Sequence, residues 1–201
     1  MKTTTKTPVT AANLAYQSPR RLLAAGLFVS VALLSMTVAS AAAAIDKITS
    51  STVLKLNIPS QQISEAALLD VGIPLLNDGL YLTDENDTVF PEVRYAEAIY
   101  FSNQLAKVME KSGAWGAIRV TPTENVVTDL YVTGTILQSD GEIMDLDIQV
   151  KDSSGKQWFA KNFRQVVGDY AYDRSLKRLG DPFQNLFIRI ANDLLAYREK
   201  L

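Results

Sequence analysis

The amino-acid sequence predicts an α+β domain: a mixed, mostly antiparallel sheet covered by two helices in the order β-α-β-β-β-β-α, set behind an N-terminal export segment. Three observations predict it. Two stretches carry apolar residues at three- and four-residue spacing, each opened by a proline. Between them lie segments with two-residue apolar alternation, separated by short glycine-containing turns. An apolar run precedes the first helix. Two helices each need a surface to cover, and a strand meander with one apolar face supplies it, which gives a two-layer sandwich.

The chain begins with a basic, threonine-rich stretch that ends in Arg20-Arg21. Leu22 to Ala44 then runs without a charge and finishes in small residues, with Ala39-Ser40-Ala41 and Ala42-Ala43-Ala44 both fitting the small-x-small pattern of signal cleavage. Residues 1–44 therefore read as a secretory signal peptide. The alternative is an uncleaved membrane anchor, since roughly 20 apolar residues span a bilayer. Either reading places the rest of the chain in the periplasm. The absence of cysteine removes the acylation route of a bacterial lipoprotein.

Residues 45–66 are polar, with apolar positions at Val53, Leu54, Leu56 and Ile58, and read as a tether or an edge strand; residues 67–201 form the single domain. Ala67 to Leu76 is apolar at nearly every position, as a buried strand would be, and Asn77-Asp78-Gly79 breaks it. Tyr81 to Phe90 reads as an acidic loop. Pro91 opens a helix running to Ser112, with Val93, Ala98, Phe101, Leu105, Val108 and Met109 on its buried face and Gly113 as its left-handed stop. Ala117 to Thr121 is a short strand. In Asp129 to Leu137 the residues Leu130, Val132, Gly134 and Ile136 alternate with Tyr131, Thr133 and Thr135. Asp140-Gly141 suits a two-residue hairpin, and Met144, Leu146, Ile148 and Val150 alternate with Asp145, Asp147, Gln149 and Lys151 on the returning strand. Ser153-Ser154-Gly155 turns the chain into Lys156 to Val167. Asp181 caps and Pro182 opens the last helix, with Phe183, Leu186, Phe187, Ile190, Leu194 and Tyr197 along its apolar stripe.

Charge and composition narrow the function. Of the 20 basic residues four precede the apolar segment, whereas all 22 acidic ones follow it, so the exported part holds 16 basic against 22 acidic residues and is net negative. That balance disfavours nucleic acid, whose binding depends on neutralising phosphates. With no histidine and no cysteine, a Ser-His-Asp triad, a thiolate nucleophile and a Cys/His zinc site are all excluded. Asp84-Glu85-Asn86-Asp87 lacks the glycine that a calcium loop needs at its sixth position, which here is Val89, and reads as a solvated loop. Asp145 and Asp147 share one strand face about 7 Å apart, which suits a solvated sheet surface better than a catalytic carboxylate pair. No catalytic, cofactor-binding or metal-ligating residue is expected.

The segment SGAWGAIRV (Ser112 to Val120), the strand TDLYVTGTIL (Thr128 to Leu137), the Asp152-x-x-Gly155-Lys156 turn and the closing helix DPFQNLFIRIANDLL (Asp181 to Leu195) form a series. It resembles the small envelope domains found in the N-terminal part of TolB, in the curli-secretion lipoprotein CsgG and in outer-membrane lipoproteins that activate penicillin-binding proteins. Trp115 stands in their aromatic slot, and Val132, Gly134 and Ile136 match their strand. The resemblance covers roughly residues 67–198 and implies scaffolding or partner docking without chemistry. The lipobox cysteine and any second domain are missing, so a lipoprotein location does not carry over.

Trp115 is expected to pack beneath the first helix. Tyr131, opposite the apolar face of its strand, is the better surface residue. With Tyr170, Tyr172, Arg174, Lys177 and Arg178, a basic-aromatic loop in an acidic domain, it makes the expected interaction surface. The reading is thus a non-catalytic periplasmic accessory protein with no cofactor, docking onto another envelope protein or cell-wall component and touching membrane only through its N-terminal segment. A carboxylate-based cell-wall hydrolase and a small-ligand-binding protein are the alternatives.

Overall fold

Pro91 and Gly113 bracket the first helix, α1 (Pro91–Ser112), where the sequence placed it; Gly113 takes the left-handed conformation at φ 64°. The structure is a computed structural model and describes residues 54–83, 89–168, 172 and 181–201. The export segment 1–44, the acidic residues Asp84 to Asp87, and Tyr170, Arg174, Lys177 and Arg178 lie outside the described residues.

Five strands form one mixed sheet: β1 (Val71–Pro74), β2 (Ile118–Thr121), β3 (Leu130–Ser139), β4 (Ile143–Asp152) and β5 (Gln157–Val166). Their order across the sheet is β2-β1-β3-β4-β5, with β1 parallel to both neighbours and β3, β4 and β5 an antiparallel meander. The second helix, α2 (Gln184–Arg198), lies with α1 over one face. This is the two-layer α+β arrangement, in the predicted element order. The first strand is shorter than the apolar run suggested. All four of its residues are buried, as a strand between two parallel partners requires, while Glu65–Ala67 forms a turn of 3-10 helix. The hairpin between β3 and β4 takes three residues, not two, because the Asp140 carboxylate accepts the amides of Glu142 (3.0 Å) and Ile143 (2.7 Å) and holds the chain open. Pro182 likewise precedes the last helix instead of opening it. The Asp181 carboxylate accepts the Phe183 amide at 2.8 Å, one turn ahead of Gln184.

The core lies between helices and sheet. Leu105 and Met109 from α1, Leu186, Phe187, Ile190 and Leu194 from α2, and Leu130, Leu146 and Ile148 from the sheet are all at most 1% exposed. Val93, expected among them, is 53% exposed, and Arg94 is buried in its place. Phe101 meets Phe187 at 6.0 Å between centroids and joins the two helices. The helices run side by side in the same sense. The Tyr100 hydroxyl donates to Asp181 at the start of α2 (2.9 Å), and Arg198 at its end donates to the Ala114 carbonyl beyond the end of α1. Since α1 is about 33 Å long and α2 about 22 Å, the N-terminal turns of α1 extend past the start of α2.

Residues 54–60, the described start of the tether, pair with no strand; they run along α2. The Leu54 amide donates to Asn185 (2.7 Å), the Asn57 amide to Asn192 (2.8 Å) and the Ser60 amide to Glu199 (2.9 Å). Each step is three residues in the strap and seven in the helix. Three extended residues cover roughly 10 Å and seven helical residues roughly 10.5 Å, so the two repeats stay in register. Asn192 also donates to the Lys55 carbonyl at 3.0 Å. Asn192→Ala is expected to cost about 1 kcal/mol and to speed hydrogen exchange at the Asn57 amide; unchanged exchange there would contradict the ladder.

Candidate functional site

Two of the carboxylates that the sequence brings forward, Asp145 and Asp152, have structural work. Asp145 alternates with the apolar residues of β4 as expected, yet it is only 7% exposed. Its cross-strand partner is Arg164 on β5, whose Nη1 donates to it at 2.8 Å, and Asn162 Nδ2 donates at 2.5 Å. The solvated position expected for Asp145 is therefore corrected: long side chains on the neighbouring strand fold over it. Asp152 makes the β4–β5 turn. The Ser154 hydroxyl, with the Lys156 and Ser154 amides and the Trp158 indole, hydrogen-bonds its carboxyl and holds it below the usual carboxylate range. Among the described residues no group of three or more acidic side chains gathers to hold a metal.

The tryptophans belong to the packing. Trp115 is 6% exposed, as expected, and faces Trp158 at 6.4 Å, while Trp158 stacks on Tyr197 at 5.3 Å. The Arg198 guanidinium lies 5.1 Å from the Trp115 ring, and its Nη2 donates to the Ala67 carbonyl at 2.6 Å. This cluster ties the end of α2 to β5 and to the start of the domain.

Tyr131 is half-buried, and its hydroxyl donates to the Val126 carbonyl at 2.6 Å, which fixes the ring against the β2–β3 loop. It forms one end of a polar trough of about 500 Å³ on the sheet face away from the helices, floored by Thr133, Thr135, Asp147, Gln149 and Lys151. Tyr172 is exposed and donates its hydroxyl to the Gly141 carbonyl at the hairpin tip. Partial burial, then the charges of Asp181 and Asp140, raise its phenol above the usual range. Tyr131 and Tyr172 contact different loops, and the structure does not join them in one patch.

The surface that sequence reasoning missed is on α1. Phe90 (63% exposed), Val93 (53%), Tyr95 (58%), Ile99 (37%) and Tyr100 (46%) turn apolar area to solvent around the N-terminal half of α1. Single exposed apolar residues are common; five within eleven positions are a concentration, and large exposed apolar areas mark contact surfaces. On one flank, Val89, Phe90, Val93, Arg94 and Glu97 face Ser139 and Asp140 of the β3–β4 hairpin across a hollow of about 290 Å³. The signal is present in the sequence: Tyr95 and Ile99, one turn apart, add a short second apolar stripe beside the core stripe. Among the described residues no helix is long and apolar enough to cross a membrane.

No protein-family model and no curated protein matches the chain. Among solved structures it is similar to a PelC dodecamer from Paraburkholderia phytofirmans, at 14% identity over 74% of this chain and 90% of that one, with a TM-score of 0.34. It is also similar to a hypothetical protein from Chlamydia trachomatis, at 15% identity over 66% of this chain and 99% of that one, with a TM-score of 0.41. Neither likeness assigns the chain to a family.

Proposed function

We propose that the chain is an exported, non-catalytic accessory protein of the bacterial cell envelope, which docks onto another envelope protein through the outer face of α1. The observation that carries this reading is the group of exposed apolar side chains, Phe90, Val93, Tyr95, Ile99 and Tyr100, around the N-terminal half of α1. Burying such area is the main favourable term in association, and aromatic residues are enriched at interface centres. The basic, apolar N-terminal segment supports export, and the envelope-domain resemblance supports a docking role. The Tyr170 to Arg178 loop is not needed for it.

Photo-crosslinking in cells from positions 95 and 99 tests the proposal. One envelope protein is expected to be captured from both positions, and Ile99→Asp is expected to abolish capture from position 95 while costing only about 0.5 kcal/mol of stability. Recovery of the protein in the cytosol, or capture that Ile99→Asp leaves unchanged, would overturn it.

A further inference from the structure

Asp145 and Asp147 share one face of β4, and the protein satisfies only the first of them. Asn162 of β5 is the cross-strand partner of Asp147, yet its amide donates to Asp145. Asp147 is half-buried, and among the described residues its carboxylate accepts no hydrogen bond and joins no ion pair. The side chains of Thr135 and Gln149, half-buried beside it, are likewise unengaged among the described residues. All three line the trough on the sheet face away from the helices and keep accessible surface there. Three cross-strand rows build its floor: Thr135 opposite Asp147, Thr133 opposite Gln149, and Tyr131 opposite Lys151. Successive rows are roughly 7 Å apart, so the floor runs for roughly 14 Å along the strands. The short threonines of β3 make the depression. The Tyr131 ring bounds one end, already held by its hydroxyl bond to the Val126 carbonyl. The volume of about 500 Å³ falls within the roughly 300–1,000 Å³ of small-molecule sites.

The chemistry of the lining decides what the trough can take. It is polar along its floor, so an apolar ligand would leave Asp147 and Gln149 without partners. An acidic ligand meets Asp147 and Glu124 as well as Lys151, and like charges brought together are costly. A cation finds neither clustered carboxylates nor an aromatic cage, since the neighbours of Asp147 along the floor are a hydroxyl and an amide. An extended peptide gains its main-chain bonds at a sheet edge, whereas β3 and β4 have spent their backbone groups on each other and offer only side chains here. A sugar meets all of these conditions. Its hydroxyls donate and accept, as do threonine and glutamine; a carboxylate accepts from two adjacent hydroxyls; and the C–H face of the ring packs on an aromatic side chain that is apolar in body and polar at its tip.

We infer that the trough binds an uncharged oligosaccharide, with Asp147 accepting hydroxyl protons, Thr135 and Gln149 exchanging hydrogen bonds with the neighbouring sugar, and Tyr131 carrying a ring at the far end. Docking through α1 is a separate matter, since the helices cover the other face of the sheet. The site binds without chemistry: Asp147 has no second free carboxylate on the floor to share acid and base roles with it.

The test is an array of immobilised neutral, carboxylate-bearing and amino-bearing oligosaccharides probed with the full chain, followed by titration with the glycans retained. Neutral glycans are expected, with affinity kept at roughly 1 M salt, where the Debye length falls to about 3 Å. Asp147→Ala is expected to weaken binding about ten- to a hundredfold and Gln149→Ala about three- to tenfold. Neither should lower the melting temperature, because no protein group loses a partner. Ile99→Asp, on α1, should leave glycan binding unchanged. Retention of acidic or of amino-bearing glycans alone, lost in salt, would overturn the uncharged assignment. No retention at all, or binding that both trough substitutions leave intact, would overturn the site, and neither result touches the docking reading.

Discussion

Phe187→Ala is expected to cost about 3–5 kcal/mol of unfolding free energy, a large share of the roughly 5–15 kcal/mol that keeps a domain folded. Phe187 is fully buried and meets Phe101 of α1 across the helix pair. Its neighbours Leu186 and Ile190 are at 0% exposure, and none of them can swing into the space without leaving its own contacts. The loss therefore combines the transfer free energy of the ring with a cavity that the helices, tied at Tyr100–Asp181 and at Arg198–Ala114, cannot close. Urea denaturation reads the effect as a lowered midpoint at unchanged slope. Val127→Ala, at a side chain 100% exposed, serves as the control and should stay within about 0.5 kcal/mol. A loss below about 1 kcal/mol at Phe187 would mean that α2 is not part of the cooperative unit.

Elements were legible where their signals are local. Pro91 and Gly113 mark both ends of α1 within a residue of each boundary, and the alternation from Met144 to Val150 gives β4 its faces without reference to anything else. Val93 shows the limit. Helical period says that an apolar stripe exists, but α1 carries more apolar positions than one face can bury, and the packing of the whole domain decides which stay in water. Asp145 shows another limit: its own strand places it on the polar face, while Arg164, nineteen positions away on β5, closes over it. The strap depends on a three-residue repeat matching a seven-residue repeat more than 130 positions later, and neither repeat announces the other. A surface is the hardest part to read from a sequence, because exposure is what remains after every long-range contact has formed. Tyr131 alternates with the apolar residues of β3 as its own strand dictates, whereas the Val126 carbonyl that accepts its hydroxyl comes from a loop the alternation says nothing about.

Gly79→Ala is expected to cost about 3–4 kcal/mol, a left-handed backbone penalty plus a backbone displacement, and comparison with Gly113→Ala separates the two. Both glycines sit at nearly the same angle, φ 69° and φ 64°. A Cβ on Gly113 would meet nothing within 4 Å, so its replacement carries only the conformational cost of about 1 kcal/mol. A Cβ on Gly79 would lie 1.9 Å from the Ile136 carbonyl oxygen. That oxygen belongs to a strand pinned on both sides: the Asn77 amide donates to Gly134 (2.8 Å), the Ile136 amide donates to Asn77 (2.9 Å), and β4 pairs along the other edge. The turn is just as fixed, with the Asn77 side chain accepting the Gly79 amide at 2.9 Å and that of Asp78 accepting the Leu80 amide at 3.2 Å. One of these contacts must break to admit a methyl group. A difference of about 2–3 kcal/mol between the two variants in urea melts would measure that rigidity directly. Equal losses would show that the turn after β1 yields, and that the Asn77 bridge holds β3 less firmly than its bond lengths suggest.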